Sequence, residues 1–272
     1  MSASTSANLP HELPRRLISA CHILHFHHIL DAYGHISVRH PQKHNVFIMS
    51  RNIAPAIISS AGDLIEYYVN DASPVESTAA VGYVERYIHI SQVRYILDAA
   101  PDFLSSMLIF RIEVPLRSCF HMAGFLGTST PIFDISEYYK SDDTKDMLVR
   151  STYLGEALAS CFANSGYSDT DNLSVPLHNV VLMRSHGLTV VASSIEECVF
   201  RAIYTQKNAM IQTAALNISA AYLGSSDGGY SIRYLDQEEA AASTSMTQWS
   251  VMRPWKLWLR EVEESGLYVN HE

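Results

Sequence analysis

The run VVLMRSHGLTVVA, Val180 to Ala192, is apolar enough for buried β-structure, yet Arg184, Ser185, His186 and Gly187 interrupt it. A histidine at such a break is held by rigid structure on both sides while its ring edge reaches a cleft. That is how a metal ligand or a proton carrier is presented, although a ring hydrogen-bonded to a nearby carbonyl uses the same placement. A second candidate lies in GYVERYIH, where Glu85 and His89 stand four residues apart. On an amphipathic helix this spacing lets a carboxylate and an imidazole meet one metal ion or one proton, and solvated helix pairs share it. The chain has 13 histidines, of which His22, His25, His27 and His28 fall on one predicted helix. They read as partly buried helix histidines, with a metal site as the alternative, because only positions three or four apart share a face. His40 and His44 read as turn residues. The cysteines Cys21, Cys119, Cys161 and Cys198 form no CxxC pair and read as reduced, mostly buried thiols. Nothing near Cys119 marks it as a nucleophile, although His121 follows two residues on.

Several elements must position these groups. Helical spacing of Leu17, Ile18, Cys21 and Leu24 predicts a helix over 11–30, ended by Asp31-Ala32-Tyr33-Gly34. HISVRH and NVFIMS predict a hairpin and LIEYYVN a third strand. The spacing of Val84, Ile88, Val93 and Ile96 predicts a helix through 81–102, closed by Pro101. VPLRSCF and TPIFDI read as strands flanking the turn HMAGFLGTS, and 142–166 as a helix with acidic residues at its start and Gly166 past its end. VVLMRS and LTVVA are strands; 194–223 is a long helix opened by a Ser194/Glu197 capping box. Another helix includes Asp236 to Met246, RPWKLWLREVE closes the chain, and SSDGGYS reads as a flexible loop. Strand hairpins between helices are not the regular alternation of a doubly wound parallel sheet.

The chain of 272 residues is 47% hydrophobic and 17% charged, which suits one large domain with a substantial core. We expect a polar leader over 1–12, a core over 13–223 and a C-terminal extension over 224–272. A formal charge of −9 without a Lys/Arg cluster argues against nucleic acid as a partner. No apolar run approaches a membrane span, and the first residues lack the apolar core of a secretory signal, so a cytoplasmic protein is expected.

DAYGHISVR, MSRN, Ser73-Pro74 followed by GYVERYIH, VPLRSCFHMAGFLGTSTPIFD and NVVLMRSHGLTVV occur in that order. Together they resemble the class II aldolase/adducin family from about Ala20 to about Leu216, and most closely a subgroup of fungal secondary metabolism that includes tropolone-cluster decarboxylases. The resemblance implies a single α/β domain with a mixed, largely antiparallel sheet between helical layers, assembled as a homotetramer with active sites at subunit boundaries. It implies zinc, with His186 as the third ligand histidine and Glu85 as the acid/base, itself also a metal candidate. Gly34, His35, Ser37 and Arg39 fall in the family's substrate-binding turn, with His35 replacing the usual asparagine. Ser50, Arg51 and His121 join them as substrate-binding candidates.

The family's other two zinc ligands form a His-x-His pair on the strand after the Glu-bearing helix. Here PDFLSSMLIFRIEVPLR has no histidine and is several residues short. Three accounts stay open. His89 or His121 replaces the pair; or catalysis runs without a tightly held metal, Glu85 moving the proton while His186, His121 and Arg39 stabilise developing charge; or the sequence lacks a short coding segment. The turn MSRNIAP has no phosphate-cradling glycine, while Arg39, Arg51, Phe47, Tyr67 and Tyr33 suit a flat, acidic molecule. The expectation is a carbon–carbon lyase acting on a small carboxylated molecule, a decarboxylase of an aromatic, tropolone- or anhydride-like acid before an aldolase. A non-catalytic adducin-like binding module is the rival from another class.

Overall fold

A computed structural model of the chain describes residues 12–77, 82–90, 95–99, 115–162, 176–222 and 231–272, with 95–99 described by its backbone. One seven-stranded sheet organises it, in the order β3-β2-β1-β4-β7-β6-β5. The strands are β1 (His35–Arg39), β2 (Val46–Ser50), β3 (Leu64–Tyr68), β4 (Tyr95–Ala99), β5 (Ile132–Phe133), β6 (Val180–Met183) and β7 (Gly187–Ala192). All neighbours pair antiparallel except β5 with β6. The expected mixed, largely antiparallel sheet between helical layers is therefore present.

Side-chain alternation along the strands divides the core into two layers. Ile36, Val38, Ile48, Leu182, Leu188 and Val190 bury one face against α1 (Glu12–Phe26) and α3 (Ile195–Tyr222). In α1 the buried stripe runs through Leu17, Ile18, Cys21 and Leu24, as the sequence spacing requires. The opposite face carries Phe47, Met49, Val181, Met183 and Val191. It packs against the short turn Val84–Ile90 and α2 (Thr152–Ser160). Two C-terminal helices, α4 (Gln237–Ser250) and α5 (Met252–Glu263), complete the helical layer, and α5 inserts Trp255 and Trp258 into the first core.

Several expectations are corrected. The helix read over 81–102 is a 3-10 turn at Val84–Ile90 followed by strand β4, which sits in mid-sheet between β1 and β7. A short apolar run fits either period, and the sheet decides by needing a strand there. Pro101 lies outside the described residues. VPLRSCF belongs to no sheet strand where it is described. Its backbone is bound instead by two side-chain amides one turn apart on α3: Gln212 bonds Arg117 N–H (2.9 Å) and Pro115 C=O (3.0 Å), and Asn208 bonds Cys119 N–H (2.8 Å) and Arg117 C=O (2.7 Å). TPIFDI shortens to β5, and the glycine-containing turn is a 3-10 turn over His121–Leu126.

The helix expected from residue 142 begins at Thr152. Ser151, whose hydroxyl accepts Leu154 N–H, is its cap, and Gly166 lies outside the described residues. At α3, Ser194 accepts Glu197 N–H, but the Glu197 carboxylate turns to Ser193 N–H, Arg201 and Gln248, so only half of the capping box forms. Burial pushes the Glu197 carboxyl up, and Arg201 with these hydrogen bonds outweighs it and holds the group below its ordinary value. The loop SSDGGYS lies outside the described residues except for Ser231.

Two outcomes test this architecture. Asn208→Leu leaves the amide and carbonyl it binds without that partner, and urea denaturation should show a loss of about 2–4 kcal/mol. Burial, with Lys207 and His28 adding to it, pushes His27 down to about 4, overriding the Glu261 carboxylate 3.7 Å away. A base with a depressed folded pKa contributes stability above its unfolded value of 6.5 that falls away as pH drops toward 4. His27→Gln should therefore flatten the acid side of the stability–pH curve between those values, by about 1–2 kcal/mol once solvent screening is allowed for.

Candidate active site

The turn Val84–Ile90 packs against α2 at Gly155, where a Cβ would lie 2.2 Å from Tyr87 C=O, so glycine permits the contact. The turn is kinked at Glu85 (φ −86°, ψ 16°). On a 3-10 path each residue advances about 120°, so positions four apart point about 120° away from each other. Glu85 and His89 accordingly diverge, which corrects the expectation that they share a face.

Glu85 turns toward the β6–β7 break. Its Oε1 accepts Val149 N–H at 3.1 Å and lies 3.6 Å from His186 Nε2. Both side chains are mostly buried, at 15% and 10% exposure, which leaves a limited opening onto the pair. His186 is fixed by a tight turn in which its N–H bonds Met183 C=O at 3.1 Å and Ser185 takes φ +58°. Beside it Arg184 pairs with Asp134 at 2.5 Å.

Val149 is delivered by a polar strap. Met147 sits at φ +69°, a left-handed conformation that strains a non-glycine residue by about 1–3 kcal/mol. Its N–H donates to Tyr139 Oη at 2.8 Å, and Leu148 N–H donates to Asp146 at 3.2 Å. Arg150 bonds Asp146 through Nε (2.7 Å) and Nη2. The Asp146 hydrogen bond, and with less weight the charge of Glu85, push the Arg150 guanidinium up, so a cation stands within electrostatic reach of Glu85.

His89 turns the other way and is 1% exposed. Its Nδ1 bonds Ser37 Oγ and its Nε2 bonds His35 Nδ1, both at 2.7 Å. The His35 ring packs at a tilt 4.7 Å from that of Tyr83, whose phenol donates to Ile53 C=O at 2.5 Å and bonds Ser50. Burial pushes Tyr83 up to about 12. The substrate-binding candidates His35, Ser37 and Ser50, after Gly34 at φ +85°, thus form a buried network with His89 and Tyr83.

The remaining candidates lie elsewhere. Arg39 donates to His44 C=O at 2.9 Å, and Arg51 to Gly62 C=O at 2.7 Å. His121 is exposed at the start of its turn, against Phe120. His22 and His25 pack on Tyr268, and His40 organises its turn by accepting two backbone N–H groups. Burial pushes Cys119 up to about 11, against a nucleophilic role. Among the described residues no three His, Cys, Asp or Glu converge as a metal set. Glu85 and His186 supply two donors, His89 is turned into the buried network, and the sequence of β4 has no histidine, so the described residues do not fit the expected zinc.

Tyr83, Tyr139, Val149 and Arg150 were missed in the sequence. Val149 acts through its main chain, which side-chain patterns do not report. Arg150 reads as one charge on a predicted helix until the left-handed Met147 breaks that helix.

The profile described as "Class II Aldolase and Adducin N-terminal domain" matches residues 15–213. The chain is 49% identical over 269 residues to "Decarboxylase tropJ" of Talaromyces stipitatus, covering 97% of this chain and 99% of that protein. Among solved structures, an aldolase II superfamily protein from Pseudomonas syringae superposes with a TM-score of 0.70 at 16% identity, covering 97% of this chain and 98% of that one. L-fuculose 1-phosphate aldolase from Glaciozyma antarctica gives 0.61 at 15% identity over 96% and 94%. At these identities the structures establish the fold alone.

If Glu85 and His89 belong to separate networks, a double-mutant cycle of Glu85→Gln with His89→Leu should show a coupling below about 0.5 kcal/mol. His89→Leu alone should lower stability by about 2–4 kcal/mol, since Ser37 and His35 lose these buried bonds. A coupling above 1 kcal/mol on the same denaturation curves would mean that the two act on one centre.

Proposed function

Because the chain belongs to the class II aldolase and adducin family, we propose that it is a carbon–carbon lyase that removes the carboxyl group of an aromatic, tropolone- or anhydride-like acid. The lyase class follows from the family and from the near full-length likeness to a decarboxylase. The observation that carries the site assignment is the Glu85–His186 pair, in which one carboxylate oxygen faces an imidazole nitrogen and accepts the Val149 amide.

In an ortho-hydroxyaryl acid the carbon that bears the carboxylate takes up a proton first, so that when carbon dioxide leaves, its bonding pair flows into the ring and onto the ring oxygen. The barrier falls when that oxygen meets a hydrogen-bond donor in a dry pocket and carbon receives a proton. Glu85 and His186 can share both tasks. The Val149 N–H bonds the carboxylate, and His186 in its protonated form donates to the developing oxyanion. A proton passes through Glu85 to the carbon that bears the carboxylate, carbon dioxide leaves, and solvent reprotonates the pair. The balance is carboxylate plus proton giving carbon dioxide and the protonated product. Arg150, in reach of Glu85, adds positive potential for an anionic substrate.

Substrate is a small carboxylated molecule, the protein works in the cytoplasm, and the assembly is a homo-oligomer, a tetramer by family resemblance. No helix among the described residues is long and apolar enough to cross a membrane. Zinc remains part of the family pattern.

Incubation with ortho-hydroxyaryl carboxylic acids, followed by carbon dioxide release, tests the reading. Glu85→Gln should lower kcat by about 100- to 10,000-fold. His186→Ala should lower it by about 100- to 1,000-fold. Cleavage of a β-hydroxy carbonyl compound with no carbon dioxide from any acid would make the protein an aldolase. Activity lost on exhaustive chelation and regained with zinc would overturn the metal-free route.

A further inference from the structure

We infer that Tyr139 is a positioning residue for Glu85, acting at a distance through the left-handed turn at Met147 and the Val149 amide. The consequence for rate rests on Glu85 being the proton carrier of the lyase reading; the geometric link does not.

Both capacities of the Tyr139 hydroxyl are directed at one residue. Its oxygen accepts Met147 N–H at 2.8 Å, and its hydrogen points to Met147 Sδ at 3.9 Å. Met147 is one of four non-glycine residues with positive φ among the described residues. Such a conformation persists only where the surroundings over-determine it. The surroundings here are Tyr139 at Met147, Asp146 at Leu148, the Asp146–Arg150 ion pair across the turn, and the fully buried side chain of Val149. Val149 can therefore hold its side chain in the core while its N–H meets Glu85 Oε1 at 3.1 Å.

The oxygen so held is also the one 3.6 Å from His186 Nε2. A carboxylate on a short kinked turn has free χ angles unless something outside the turn fixes them, and in proton transfer a misplacement of about 1 Å can reduce the rate about 100-fold. The bonds of the Tyr139 hydroxyl go to Met147, so its effect on Glu85 is one of placement. The residue sequence reaches the same conclusion from another side. In a helix continuing from 142 through 150, Val149 N–H would be bonded within the helix; the left-handed Met147 breaks that path and frees the amide for Glu85.

The test uses the full chain, labelled with nitrogen-15, in five forms: unaltered, Glu85→Gln, Tyr139→Phe, Met147→Gly, and the last two together. Glycine takes positive φ without strain, so the double variant should keep the turn without the phenol. Glu85→Gln in the unaltered chain first identifies the shift of the Val149 amide that reports its bond. Tyr139→Phe should move the Val149 amide toward that position and lower kcat for carbon dioxide release about tenfold at unchanged KM. Adding Met147→Gly should return both amide shift and kcat. A merely structural role for Tyr139 would alter the melting temperature without this split or rescue.

A Val149 amide unmoved in Tyr139→Phe overturns the inference, as does a displaced amide with unchanged kcat in an enzyme that Glu85→Gln inactivates. If the unaltered chain releases no carbon dioxide from any acid tried, the decarboxylase reading fails separately. The amide response and its rescue by glycine still decide whether Tyr139 places Glu85.

Discussion

The arrangement of the site depends on one backbone choice, that residues 84–90 follow a kinked 3-10 path and not an α-helix. In an α-helix Glu85 and His89 would stand nearly above one another and compete for the same space. On the tighter path Glu85 faces the end of the sheet where β6 turns into β7, and His89 faces the underside of β1. The path is held by packing: Gly155 lets α2 approach Tyr87 C=O, and Ile88 and Ile90 are buried in neighbouring clusters of the layer on that face. A short turn with poor intrinsic stability thereby becomes a fixed support through tertiary packing.

The network beneath it has a different character. Ser37, His89 and His35 are joined in a line, all at most 3% exposed. With both rings neutral the line can run in either of two directions. Either Ser37 donates to His89 and His89 to His35, or His35 donates to His89 and His89 to Ser37. Both arrangements satisfy these contacts, so either matched pair of tautomers satisfies the network. A satisfied polar line in a core also fixes register, because shifting β1 by one residue would carry His35 and Ser37 into the layer formed by Ile36 and Val38. The residues that resemble a substrate turn therefore give β1 its alignment as well.

Most of the sheet was legible because β1, β2, β3, β6 and β7 alternate or run apolar between clear breaks. β4 was not, since five residues following a helical pattern carry little information about period. The segment at 115–119 was misread for another reason. Its sequence has strand character, but its hydrogen bonds go to Asn208 and Gln212, and nothing local tells a backbone that its partners are side chains almost 100 residues away. At the site, Glu85 and His186 were readable as residue types at known kinds of position. Their meeting, and the separation of His89 from them, follow from a kink and a layer contact that no spacing rule encodes.

The distribution of positive charge separates what sequence offers from what geometry uses. Arg39 and Arg51 flank the family-like turns, yet each holds a main-chain carbonyl of its own hairpin or loop, and those bonds order the ends of β1 and β2. Arg86, next to Glu85 in sequence, bonds Ala72 C=O, Tyr83 C=O and the Tyr87 hydroxyl. Arg150 is brought near Glu85 from 65 residues away by the strap that also brings the Val149 amide. One segment therefore supplies both a donor to the carboxylate and a nearby positive charge. The strain at Met147 is the condition for both, because a regular helix through that segment would bond Val149 N–H internally.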